Sequence, residues 1–303
     1  MAIEPQPENV AVSVLTHPSD SSIAAHTVPH LLQQFKSQKL FVIVDRSRGT
    51  TRVFEELVSQ WKNDLQAVIL DIPIGKEGQA TAKRHFGRKR LPFSDFRGVP
   101  LLAWAHAVDT AKAHGCNYLA HFDGDILLHC EQGAQSFIDK SIQIHQKHPD
   151  LLVTGPLPGP PAPDGPRGQP NGARLQDDLW LIPAFTSRRF VIDVNKLEQY
   201  LPMPIRWTSS RRRILQFFTG KSAVWNWEYH MNCLLHETKL FRGDQNDINT
   251  WAIHLPDHSQ HTANLLPEII AHVESGWAPE SQSGKYDLEL AGWQQAPNQT
   301  RRC

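Results

Sequence analysis

Asp123 and Asp125 flank a glycine directly after the apolar run Tyr118 to Phe122. Two carboxylates so spaced can meet on a divalent cation, Mn2+ or Mg2+, and Gly124 lets a ligand approach the backbone between them. A diphosphate leaving group calls for such an ion, because negative charge gathers on it as its bond breaks. Short acidic turns are common and are usually only solvated. The apolar strand in front of this one raises the functional reading above the solvated one.

Other groups invite chemistry less strongly. His254, His258 and His261 have the look of a zinc cluster, but Pro256 forbids the continuous helix that an H-x-x-x-H pair requires. With 16 histidines in the chain, chance spacing accounts for that group. Arg211-Arg212-Arg213 could grip a pyrophosphate or an anionic acceptor, although a basic run is more often a solvated face. Trp225 and Trp227 could stack on a sugar ring, with burial in a core as the commoner role.

The elements that must position these residues alternate. Val10 to Leu15 reads as a strand feeding the polar loop Thr16 to Ser22, and Val28, Leu31, Leu32 and Phe35 as a helix with Pro29 near its start. Leu40 to Val44 is a buried-strand pattern ending at Asp45, Val53 to Trp61 a helix, and Ala67 to Ile72 a third strand. Gly98 and Pro100 open a helix that Gly115 closes, and Tyr118 to Phe122 follows as a strand. This alternation predicts a mostly parallel sheet flanked by helices, with ligands beyond the carboxyl ends of its strands. The polar ends after Leu15, Val44 and Phe122 are therefore candidates for one site.

From 155 to 173, 12 of the 19 residues are glycine or proline, which leaves no helical or alternating period and predicts a mobile loop, either a surface excursion or a lid. Phe190 to Val194 and Thr250 to His254 read as strands, Trp227 to Glu237 and Leu265 to Val273 as helices, and 276–303 as a polar tail. The expected organisation is a flexible N-terminus over 1–9, one domain over 10–275, and the tail.

Lysine plus arginine equal aspartate plus glutamate at 31 each, so no global field draws the chain to nucleic acid or to an anionic membrane. The four cysteines are dispersed and lack a C-x-x-C pair, as expected of thiols in a reducing compartment. The first residues lack the basic start and apolar stretch of a signal peptide, and no apolar run approaches the roughly 20 residues of a membrane span. A cytoplasmic protein is expected, with peripheral membrane contact through a lipid acceptor still compatible.

From about Val10 to about Asp257, the order of these parts resembles the family-2-type glycosyltransferases and their GT-A relatives. The resemblance implies a single GT-A (Rossmann-like) α/β domain and a nucleotide-sugar donor, with a uridine nucleotide as the default. It implies that Thr16, His17 and Pro18 hold the nucleoside together with Asp45, and that Asp123 and Gly124 meet the nucleotide-sugar. It further implies that Asp123, Asp125 and His254 bind the metal, with His258 in reserve. In Trp225-Asn226-Trp227-Glu228, Glu228 takes the place of the base of inverting members, and Tyr229 replaces the aspartate that usually follows. Asp45 has equally the place of a turn cap, and Glu228 that of a helix N-terminal acid.

The expected activity is metal-dependent transfer of a sugar from a nucleoside diphosphate to a hydroxyl-type acceptor. A sugar-phosphate nucleotidyltransferase is weakened as an alternative because the loop Thr16 to Ser22 has no glycine-rich phosphate cradle. A catalytically silent sugar-binding or scaffold relative is the other.

Overall fold

The computed structural model of the chain describes residues 10–47, 49–73, 75–88, 98–162, 173–211, 214, 218 and 224–294, with backbone alone at 98–100. Strands β1 (Val10–Thr16), β2 (Lys39–Val44) and β3 (Val68–Asp71) alternate with helices α1 (Ser21–Gln34) and α2 (Arg52–Asp64). Helices α3 (Gly75–Phe86) and α4 (Gly98–Ala113) then lead to β4 (Tyr118–Asp123) and β5 (Ile126–Cys130). The chain continues through α5 (Phe137–Lys147), β6 (Leu151–Gly155), β7 (Leu157–Pro158), β8 (Arg174–Gln176), β9 (Leu179–Ile182), β10 (Arg189–Asp193) and α6 (Val194–Glu198). It closes with α7 (Trp227–Glu237), β11 (Phe241–Gln245), β12 (Thr250–His254), α8 (Gln260–Glu274) and α9 (Leu290–Gln294).

The main sheet runs β3-β2-β1-β4-β10-β6-β11-β9-β8. Pairing is parallel from β3 to β4 and between β6 and β11, and every strand except β9 and β10 points the same way. The mostly parallel sheet expected from the sequence is present. Alternation along β1 explains its two faces: Val10, Val12 and Val14 pack with α1, α2 and α5, whereas Ala11 packs with α3, α4 and α7. Each fully buried Val, Leu or Phe in these layers contributes about 1.5–3 kcal/mol.

Local chemistry sets the helix starts. Thr51, Ser136, Asn226 and Ser259 each accept a backbone N–H in the first turn of α2, α5, α7 and α8. Helix α1 begins at Ser21, so Pro29 lies inside it, and α3 had no legible period.

A second sheet, β5-β12-β7, packs against α8. The chain leaves the main sheet at Asp123 and enters the second at Ile126, so Gly124 and Asp125 form the joint. The segment expected to be a tail is folded here as far as Gln294. Gln282 is fully buried, donates to the carbonyls of Lys285 and Asp287, and accepts from Trp293 Nε1.

That segment also covers the start of the glycine- and proline-rich stretch. Residues 155–160 are buried, Gly284 N donates to Pro160 O at 2.7 Å, and Ser283 Oγ donates to Pro161 O at 2.6 Å. The expected mobile loop is thus anchored at its beginning, and residues 163–172 lie outside the described residues. Gly159 has φ +82° and would place a Cβ 2.2 Å from Lys285 O. Gly159→Ala is expected to destabilise by at least about 1–3 kcal/mol in urea unfolding and to speed proteolysis of 276–294. Wild-type stability in that variant would overturn the anchoring.

Candidate active site

The order β3-β2-β1-β4 places a topological switch between β1 and β4, whose outgoing and incoming connections pass on opposite faces of the sheet. A crevice opens there at the strands' carboxyl ends, as a cavity of about 280 Å3. Its lining includes Thr16, His17, Asp20, Asp45, Asp123, Gly124, Asp125 and Arg188. Three strand ends that are far apart in sequence thus share one cleft.

Gly124 is required by packing as well as by any ligand. A Cβ there would lie 2.9 Å from Leu15 O, because Gly124 N donates to that carbonyl at 2.7 Å. The Gly124 carbonyl accepts from Thr27 Oγ1. These contacts fix the turn that aims the two carboxylates.

Asp125 Oδ2 lies 3.5 Å from His254 Nε2 and 3.3 Å from His258 Nε2, and its Oδ1 is buried without a hydrogen-bond partner. Despite burial, these imidazoles hold its carboxyl well below the usual range. His258 also reaches Asp20 Oδ1 at 3.1 Å, and the two acids push its ring up to about 10. Asp123 responds in the opposite direction. Burial raises its carboxyl, the neighbouring Asp125 charge adds to the rise, and the bond from His121 opposes it. His121 Nε2 is 3.3 Å from Asp123 Oδ1 and 3.0 Å from Trp104 Nε1.

Among the described residues, no set of three or more His, Cys, Asp or Glu side chains is already drawn together to hold a metal ion. The donor types do fit one. Asp125 offers an unpaired buried oxygen, and His254 Nε2 lies 3.5 Å from its other oxygen, whereas His258, held charged between Asp20 and Asp125, has no lone pair to give.

Glu228, in the first turn of α7, faces the same region: its Oε1 accepts from Ser187 N at 3.3 Å, and Ser187 lines the cleft. Burial pushes the Glu228 carboxyl above its ordinary value, with the Ser187 N–H and the Arg188 charge opposing and the Asp123 charge adding. Arg188 is the one guanidinium lining the cleft among the described residues.

The structure therefore brings together Thr16, His17, Asp45, Asp123, Gly124 and Asp125, with His254 and Glu228 at the margin. Asp45 lines the cleft, and its Oδ1 accepts from Ser47 N at 2.9 Å in the manner of a turn cap. Pro18 is buried in a 3-10 turn and is not part of the lining. Trp227 is core, as the commoner role suggested, while Trp225 stacks on the exposed ring of Tyr229 at 4.7 Å. Arg212 and Arg213 lie outside the described residues.

Sequence reasoning set the histidine group aside as chance, yet His258 joins His254 on Asp125. Pro256 does exclude a helix there, and the two rings converge from the end of β12 and from the loop before α8 instead. His261 contacts Gln294 and stays away from the cleft. Asp20, Arg188 and Asp287 carried no local signal.

Fold and cleft define an α/β domain with a polar crevice at a strand switch, the place where such sheets generally take their ligands. No family model and no curated protein matches the sequence. Among solved structures, the chain is similar to the mannosyltransferase PcManGT from Pyrobaculum calidifontis in complex with GDP-Man and Mn2+, with TM-score 0.46 and 14% identity over 88% of this chain and 63% of that one. It is similar also to GalNAc-T7 with UDP, GalNAc and Mn2+, with TM-score 0.48 and 11% identity over 91% of this chain and 46% of that one. A third similar structure is the galactosyltransferase LgtC in complex with donor and acceptor sugar analogues, with TM-score 0.36 and 11% identity over 74% of this chain and 70% of that one. The chain thus spans less than two thirds of PcManGT and less than half of GalNAc-T7. Among the described residues, no helix is long and apolar enough to cross a membrane.

Proposed function

We propose that this chain is a metal-dependent glycosyltransferase that moves a sugar from a nucleoside diphosphate, with uridine as the default nucleoside, to a hydroxyl acceptor with inversion. The observation that carries this reading is a concentration of unpaired polar atoms in one cleft. Thr16 Oγ1, His17 Nε2 and Asp125 Oδ1 are all buried without a partner. Buried polar atoms are normally satisfied, so a cluster of exceptions at a strand switch calls for a polar ligand.

Thr16, His17 and Asp45 would hold the nucleoside, and Arg188 would meet the diphosphate with its fixed positive charge. Asp125 and His254 would hold a divalent ion with Asp123 beside them; when bound, that ion offsets the charge gathering on the leaving diphosphate. Glu228 would take the proton of the acceptor hydroxyl. The acceptor oxygen forms a bond to the anomeric carbon while the bond from that carbon to the phosphate oxygen breaks and its electron pair departs with the diphosphate. A single displacement of this kind inverts the anomeric centre.

The expected result is that UDP binding measured by calorimetry is strong in Mn2+ and weak in chelator, because unscreened carboxylates repel a diphosphate. Asp125→Ala is expected to abolish that difference. Equal affinity in Mn2+ and chelator for the wild type would overturn the metal-dependent reading.

A further inference from the structure

The segment after α8 meets His254 at the margin of the cleft. The His254 backbone N donates to Tyr286 O and its carbonyl accepts from Leu288 N, both at 2.8 Å. The partly buried Tyr286 ring stacks on the imidazole, with centroids 5.7 Å apart and planes at 19°. Asp287 Oδ1 lies 2.7 Å from His254 Nδ1.

Two groups compete for that nitrogen. Arg188 Nη1 is 3.1 Å from it and can only donate, whereas Asp287 can only accept. One nitrogen cannot serve both. The shorter contact to a charged acceptor prevails, so the ring hydrogen sits on Nδ1 and is donated to Asp287. In the neutral ring Nε2 then carries the lone pair on the Asp125 side, 3.5 Å from Oδ2, as a cation shared with Asp125 requires. Arg188, denied a lone pair on Nδ1 and 3.9 Å from the largely exposed Asp287 carboxylate, keeps its guanidinium available to the cleft.

We propose that Asp287 is a positioning residue that fixes the tautomer and orientation of His254 so that Nε2 is presented to a divalent cation shared with Asp125. This rests on the metal-site reading above. A carboxylate behind a ligating imidazole typically contributes 10–100-fold in metal affinity. The polar segment 286–288 is then part of the active site rather than a tail.

The test is calorimetric titration of Mn2+ alone into the full chain and its Asp287→Ala, Asp287→Asn, His254→Ala and doubly substituted His254→Ala/Asp287→Ala forms. Asp287→Ala is expected to weaken Mn2+ binding about 10–100-fold with an unchanged thermal midpoint, since its carboxylate is 65% exposed. Asp287→Asn, whose amide oxygen still accepts the Nδ1 hydrogen, is expected to recover most of the affinity. If Asp287 acts only through His254, the double variant binds no more weakly than His254→Ala. Additive losses, or Asp287→Ala affinity equal to wild type, would overturn this inference and leave the metal site standing. A wild-type chain without Mn2+ affinity would overturn the metal site and this inference together.

Discussion

Glu228→Gln is expected to lower sugar transfer by about 10²–10⁴-fold while leaving Mn2+-dependent UDP affinity nearly unchanged. A hydroxyl is a poor nucleophile at neutral pH, and glutamine keeps the shape of the side chain without its capacity to take a proton. Burial holds the Glu228 carboxyl above its ordinary value, with Ser187 N–H and Arg188 opposing and Asp123 reinforcing. A base works only when deprotonated. The acid limb of kcat/KM is therefore expected above the ordinary carboxylate range, with activity rising as pH rises through it, and the Gln variant should lose that limb. Kinetics across pH and product NMR check these expectations. Near-wild-type turnover in the variant would remove Glu228 from the base role, and a product that keeps the donor's anomeric configuration would exclude single displacement.

Asp244→Ala is expected to destabilise the domain by about 3–5 kcal/mol, because it leaves two buried guanidiniums without their counter-charge. Asp244 is fully buried and accepts from Arg242 Nε at 2.9 Å and Nη2 at 2.6 Å, and from Arg189 Nη1 at 3.3 Å and Nη2 at 3.2 Å. Arg189 and Arg242 are themselves almost completely buried, and the Arg189 guanidinium lies 4.7 Å from the centre of the Tyr286 ring. The network therefore couples β10 and β11 to the segment that positions His254. Asp244→Asn preserves the shape but not the charge and is expected to be destabilised as well. Urea unfolding with a loss below about 1 kcal/mol in both variants would show that the cations relax to water.

The strands β1, β2 and β4 and the helices α2 and α7 were legible because their signals are local: a continuous apolar run, an i, i+4, i+7 face of Phe54, Val58 and Trp61, or a capping Asn226. Helix α3 was not, since its buried Gly78, Thr81, Ala82 and His85 give little apolar contrast. The region 276–294 looked polar for a related reason. Its anchors are single residues, the buried Gln282 and Trp293 and the partly buried Tyr286, whose packing depends on partners elsewhere in the chain.

By itself the sequence determined the alternating α/β order and the polar residues at the ends of its strands, Thr16, Asp45 and Asp123 to Asp125, because strand and turn chemistry is set by near neighbours. Only the tertiary structure decided that Asp20 and Arg188 line the same cleft and that His258 and Asp287 meet Asp125 and His254 at its margin. Their contacts with Asp125 and His254 join residues far apart in the chain, across two sheets that meet at Gly124, and no local period encodes such a meeting. Which nitrogen of His254 faces the cleft was likewise settled by packing, since the carboxylate that takes the other nitrogen comes from a segment with no strand or helix of its own.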